Sequence, residues 1–211
     1  MKNRRKRIAV FASGNGSNLQ ALIEYSMIKD INGDILIVFS NNPEAQSLRR
    51  AEKHSIKTYC FSHRDFSSRS DFDRKILELM LENKIDLICL AGYMLLLSPE
   101  FINNYENRII NIHPSLLPSF KGMHGIRDAF EYGVKVTGAT VHFVDSELDN
   151  GPVIIQRAVE IEENETIKTL EEKIHKTEHL IYPLAVEYFC KDLLEINGRK
   201  VSISERKKIH D

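Results

Sequence analysis

Asparagine and histidine two residues apart, where an apolar run meets a proline, are the side chains here best suited to chemistry: Asn111-Ile112-His113-Pro114. Side chains alternate along a strand, so Asn111 and His113 share one face while Ile110 and Ile112 point to the other. Pro114 cannot extend the ladder, which puts His113 at the carboxyl end of its strand. Open α/β sheets bind ligands at that end. There an amide can donate to a developing oxyanion, and an imidazole can donate to it or move a proton. The pair suits acyl transfer. A lone histidine at a strand end is usually structural; the neighbouring amide and the proline-bounded loop to Pro118 favour function. A histidine that must be protonated near neutral pH needs an anion close by. Asp149, in Leu148-Asp149-Asn150-Gly151-Pro152, is the candidate. Aspartate before Asn-Gly is also a good turn former, and the sequence leaves that choice open.

A second feature is the turn Ser13-Gly14-Asn15-Gly16-Ser17-Asn18, between an apolar run and a helical pattern. The first N–H groups of a helix are unpaired and lie at the positive end of its dipole, so they favour an anion. Glycines let the main chain approach closely, and Ser17 and Asn18 can add donors. A phosphate is the natural guest, yet a tight strand-to-helix turn with no ligand fits equally well. The dinucleotide pattern GxGxxG fails at Leu19, and no Gly-Lys-Ser/Thr of a P-loop is present.

Elements that could position these residues follow from periodicity. Short apolar runs at 7–13, 35–40, 57–61 and 86–91 read as strands. Helical spacing covers 18–29, with Ser17 or Asn18 as N-cap, and Pro43 is placed to start a helix to about His54. A further helix spans 70–83, where Ser70 and Asp73 approximate a capping box. This alternation predicts a Rossmann-like, doubly wound α/β fold: a mostly parallel sheet of about seven strands with helices on both faces. Later come a strand over 108–113, a helix near 126–132 and a hairpin of 137–144 with 153–161. A long helical pattern runs over 166–194, where Pro183 should kink or break it. The polar segment 197–211 is expected to fray. One domain over 1–211, with its core at about 7–190, is the simplest organisation.

Bulk properties exclude several classes. The 211 residues are 42% hydrophobic and 28% charged, with a net charge of −1, so no global field favours nucleic acid or acidic lipid. Lys2, Arg4, Arg5, Lys6 and Arg7 read as a solvated lead-in to the first strand. No run approaches the roughly 18 apolar residues of a membrane span. Cys60, Cys89 and Cys190 form neither a disulfide framework nor a CxxC site, which fits a reducing compartment. No metal site is expected: His175 and His179 alone make a weak i,i+4 pattern. Glu178 is odd on other grounds, because it sits near an apolar helix face between Ile174 and Ile181, where a carboxylate wants a partner.

From about Arg7 to Phe189 the chain resembles the phosphoribosylglycinamide formyltransferase family. The resemblance is carried by SGNGSNLQA (13–21), FSN (39–41), LAGYM (90–94), NIHPSLLP (111–118), TGATVHFVD (137–145), LDNGPVI (148–154) and EHLIYP (178–183). It implies a cytoplasmic enzyme of purine synthesis, monomeric or homodimeric. Its small-molecule substrates would be 10-formyltetrahydrofolate and glycinamide ribonucleotide, without nucleic acid, membrane or metal. The implied catalytic set is Asn111, His113 and Asp149. Gly16, Ser17 and Asn18 would hold the substrate phosphate, and His175 and Glu178 its ribose and glycinamide end. Arg69, Met94, Leu95, Leu96 and Leu97 would line the folate site with Asn111, Asp145, Ser146, Glu147, Leu148 and Asp149. Leu95 departs from the family, which commonly has a basic residue there. Two alternatives are weaker. Formyltransferases acting on initiator tRNA, or hydrolysing formylfolate, normally carry an extra domain for which this chain has no room. A non-catalytic phosphosugar-binding module would have no use for Asn111, His113 and Asp149 together.

Overall fold

The structure is a computed structural model and describes residues 4–204. Strands β1 (Lys6–Phe11), β2 (Gly33–Ser40), β3 (Lys57–Cys60), β4 (Leu87–Leu90) and β5 (Ile109–His113) are mutually parallel. Strands β6 (Val136–Phe143) and β7 (Val153–Glu160) follow as an antiparallel hairpin on the β5 edge. The strands β8 (Leu194–Asn197) and β9 (Lys200–Ile203) close the row, giving the order β3-β2-β1-β4-β5-β6-β7-β9-β8.

Alternation within the central strands builds two apolar layers. Ile8 and Val10 of β1, with Leu87 and Cys89 of β4, face one side; there they meet Leu19 and Ile23 of α1 (Ser17–Ile28) and Ile181 and Tyr182 of α6 (Ile167–Cys190). Ala9 and Phe11, with Ile88 and Leu90, face the other. That side packs on Phe72 and Ile76 of α3 (Arg69–Glu82) and Phe101 of α4 (Pro99–Asn104). Burial on both faces explains why these strands read as unbroken apolar runs. Two further helices are α2 (Gln46–Lys53) and α5 (Gly125–Tyr132).

Several expectations need correction. The sheet has nine strands among the described residues, because the polar segment after α6 folds as the β8–β9 hairpin around Gly198, at φ 57°, instead of fraying. Residues 205–211 lie outside the described residues. Pro183 does not break α6, which runs unbroken to Cys190; the buried residues Ile181, Tyr182, Ala185 and Val186 hold that turn against the sheet despite the missing N–H. Helix α2 starts at Gln46, since the Asn42 side chain accepts from Glu44 N at 3.0 Å and makes 42–44 a turn. Helix α3 is capped by Ser68, whose side chain accepts from Asp71 N, rather than by Ser70. The basic lead-in is solvated as expected, with Arg4 and Arg5 exposed, and makes surface pairs: Arg4 with Asp86 at 2.6 Å, Arg5 with Asp30 at 2.7 Å and Lys6 with Asp192 at 2.8 Å. Lys2 lies outside the described residues.

Strand order reverses between β1 and β4, because β2 and β3 extend one way and β5 the other. A crevice opens at such a switch point, outside the carboxyl ends of the strands. The glycine turn follows β1, residues 91–97 follow β4, and His113 ends β5, so all three meet there. Their loops are tied: Ser13 Oγ donates to Asn41 Oδ1 at 2.6 Å and accepts from Met94 N at 2.9 Å.

Candidate active site

A cavity of about 530 Å³ fills this crevice. The turn from Ser13 to Asn18 forms one wall, Met94, Leu95 and Leu96 another, and Asn111, His113, Asp149, His175 and Glu178 complete it. A smaller hollow of about 170 Å³ is lined by Leu95 to Leu97, by Asp145 to Asp149 and by His142; it shares Asn111 and Asp149 with the cavity.

The glycine turn begins α1 without a side-chain cap. Gly16 is the N-cap residue, left-handed at φ 75° and ψ 30°, and neither Ser17 nor Asn18 caps the helix as expected. A side chain at Gly16 would also collide with Ser47, whose Cβ stands 2.7 Å from where its Cβ would be. A helix start without a side-chain cap leaves its first N–H groups for a guest, the arrangement that binds anions. Asn18 is 9% exposed, and its Oδ1 has no partner.

At the end of β5 the antiparallel register sets Asn111 opposite His142 and His113 opposite Thr140, so these four side chains share one face. His113 is 3% exposed. Its Nε2 lies 2.8 Å from the Phe120 carbonyl, which can only accept, so this nitrogen carries hydrogen. Its Nδ1 is 3.4 Å from Asp149 Oδ2, a charge contact rather than a short hydrogen bond. Both ring nitrogens therefore face acceptors. Phe120 and Asp149, the two residues that address the ring, have φ of 52° and 48°. A bulky side chain in that region is strained, and such strain concentrates at working sites. Gly122 N donates to Asp149 Oδ2 at 2.8 Å. At Gly151 a Cβ would lie 1.9 Å from the Phe143 carbonyl, so only glycine lets the 145–151 loop close beside β6.

His142 was not among the expected site residues. Its Nδ1 is 2.7 Å from the Phe143 carbonyl and so carries a proton. Burial pushes its pKa down, which keeps the ring neutral and makes Nε2 an acceptor. Asn111 Nδ2 lies 3.1 Å from that Nε2, so the amide is fixed with its nitrogen toward His142 and its second N–H unclaimed. The available signal was an imidazole inside an apolar strand, at Val141-His142-Phe143. Thr140 steadies the proline loop: its Oγ1 donates to the Ser115 carbonyl at 2.7 Å and accepts from Leu117 N at 3.1 Å.

On α6, Glu178 is 3% exposed and finds two partners. Its Oε2 is 3.0 Å from Asn18 Nδ2 and 2.9 Å from His175 Nδ1. Tyr182, one turn on, donates from its hydroxyl to the Leu90 carbonyl at 2.8 Å and anchors this helix over the ends of β4 and β5.

Arg69 is the expected site residue that lines neither space. Its guanidinium bonds the Leu96 carbonyl and pairs with the buried Asp73 at 3.1 Å. Asp73 also accepts from Ser98 N at 2.9 Å. Arg69 thus braces the 94–98 loop. Among the described residues, no group of three or more His, Cys, Asp or Glu could hold a metal ion, and no helix is long and apolar enough to cross a membrane.

Residues 6–186 match the family described as Formyl transferase. The chain is 41% identical to the phosphoribosylglycinamide formyltransferase of Bacillus subtilis over 92% of its own length and 97% of the relative's. It is 39% identical to the human trifunctional purine biosynthetic protein adenosine-3, over 97% of its own length and 20% of that larger protein's. The fold superposes on glycinamide ribonucleotide transformylase 1 from Symbiobacterium toebii with a TM-score of 0.94, at 40% identity, covering 97% of this chain and 96% of that one.

Proposed function

The chain belongs to the formyl transferase family, and from that premise we infer that it formylates the amine of phosphoribosylglycinamide, a step of purine biosynthesis. The single observation that carries this reading is the convergence of Asn111, His113 and Asp149 with the uncapped start of α1 in one cavity. An acyl-transfer set and an anion seat in one space suit a phosphorylated amine.

The formyl donor is proposed to be 10-formyltetrahydrofolate, which would supply an activated one-carbon acyl group. The fit rests on the apolar walls of the two connected spaces, formed by Leu95, Leu96, Leu97 and Leu148. Among the described residues lining these walls there is no lysine or arginine, so they would hold the donor by apolar contact and backbone groups.

In this reading the N–H groups after Gly16 and the side chains of Ser17 and Asn18 hold the phosphate. The unclaimed N–H of Asn111 meets negative charge developing on the acyl oxygen, with the His113 imidazolium beside it. Asp149 stands 3.4 Å from His113 Nδ1, and Phe120 and Gly122 fix the two partners. Three free thiols fit a reducing compartment, so a cytoplasmic location is proposed, with the whole activity on one domain.

Turnover is read by mixing the chain with both substrates and following folate absorbance. The ligand assignment has its own test. Ser17→Ala and Asn18→Ala should each weaken binding of phosphoribosylglycinamide by about fivefold to thirtyfold, the scale of a lost charge-assisted hydrogen bond, and leave folate affinity within twofold. Calorimetry with each ligand alone decides it. Equal losses for both ligands would make the turn merely structural.

A further inference from the structure

A phosphate dianion needs positive charge, and this cavity has little to give. Among the described residues lining it there is no lysine or arginine; its histidines and carboxylates are His113, His175, Asp149 and Glu178. His113 is already enclosed by Asp149 and the Phe120 carbonyl. A phosphorylated guest would add about two negative charges to a space that already holds two carboxylates. His175 is the remaining group able to offset them.

Its geometry suits that task. One atom, Glu178 Oε2, accepts from both Asn18 Nδ2 and His175 Nδ1. The carboxylate therefore joins His175 to the first turn of α1, where the phosphate would sit. Since Nδ1 is held by an acceptor, a second proton goes to Nε2 without breaking that bond. The side chain is 49% exposed, so the ring is open to ligand and to protons. His179 stacks on it at 6.5 Å between ring centres and 13° between planes.

We propose that the His175 imidazolium, held by Glu178, supplies the positive charge for the substrate's phosphate and makes substrate affinity depend on pH. This rests on the function proposed above. The Glu178 hydrogen bond raises the pKa of His175; burial opposes it, and the charges of Glu178 and Glu171 add to the rise. Burial lowers the pKa of His179, so of the two stacked rings His175 takes the proton first. Other charged or polar neighbours are Glu24 of α1, beside His179, and Asn18, against Glu178. The sign follows: with its pKa raised above the ordinary 6.5, His175 keeps its proton to higher pH than a free imidazole, and the attraction fades as pH climbs through the raised value. The substrate's phosphate, with a second pKa of about 6, stays dianionic throughout that climb.

The test compares KM for phosphoribosylglycinamide in the wild type, His175→Lys and His175→Gln from pH 7 to 9. Ratios taken at each pH cancel titration of the substrate's own amine. Lysine remains charged over this range, so the ratio of wild-type to lysine-variant KM should rise about tenfold from pH 7 to 9. The glutamine variant should sit about tenfold above the lysine variant at every pH. A flat wild-type ratio, or a glutamine variant equal to wild type at pH 7, with turnover intact, would overturn the role of His175 alone. A wild-type chain with no turnover would overturn the function and this proposal together.

Discussion

His113→Ala is expected to lower kcat by about three powers of ten, close to 4 kcal/mol of transition-state stabilisation. Among the described residues its ring is the one group that meets both Asp149 and the Phe120 carbonyl; His142 reaches only Asp149, at 3.8 Å, and Ser115 only Phe120, at 3.3 Å. Some stability should be lost too, about 1–3 kcal/mol, because the Phe120 carbonyl loses its short donor and keeps only Ser115 Oγ at 3.3 Å. Asp149→Asn should also cut turnover, while the asparagine carbonyl can still accept from Gly122 N. The double variant should be far less than additive, as residues acting as one unit are. Initial rates, with thermal unfolding to separate folding from catalysis, give both numbers. Additive losses would show two independent residues.

Asn111→Ala carries the second large effect. Removing one preorganised oxyanion donor costs about 10²–10³ in kcat, or roughly 3–4 kcal/mol. His142 makes this amide preorganised, since a neutral Nε2 acceptor leaves the side chain one favourable orientation. The loss should fall on kcat, with substrate binding much less affected, because the bond forms as charge develops. Single-turnover rates beside equilibrium binding would separate the two. A variant that weakens binding and leaves the chemical step intact would remove Asn111 from the oxyanion role.

Much of this architecture was legible in the chain. Buried parallel strands announce themselves as runs such as Ile8–Phe11 and Leu87–Leu90, and the Asn111–His113 pair followed from strand alternation and Pro114. Other features had no local signature. Asp149 is 36 positions from His113 (149 − 113 = 36), and only the β5–β6 register and the fold of the 145–151 loop bring them together. His142 meets Asn111 across the same register, so that contact appears only once the strands are paired. The β8–β9 hairpin was missed because its strands are short and polar on one face, as edge strands commonly are. Arg69 was expected at the folate site; it lines neither space, and its side chain holds the Leu96 carbonyl and Asp73 beside the 94–98 loop.

Asn111, His113 and Asp149 are proposed to serve one acyl transfer to the amine of phosphoribosylglycinamide. The most direct measurement supplies 10-formyltetrahydrofolate with an isotopically labelled formyl group and follows the label by mass spectrometry, in the wild type and in Asn111→Ala and His113→Ala. Label should appear on the substrate amine with the wild type and fall by at least about 10²-fold with each variant. Label released as free formate, or transferred at undiminished rate by His113→Ala, would contradict the account.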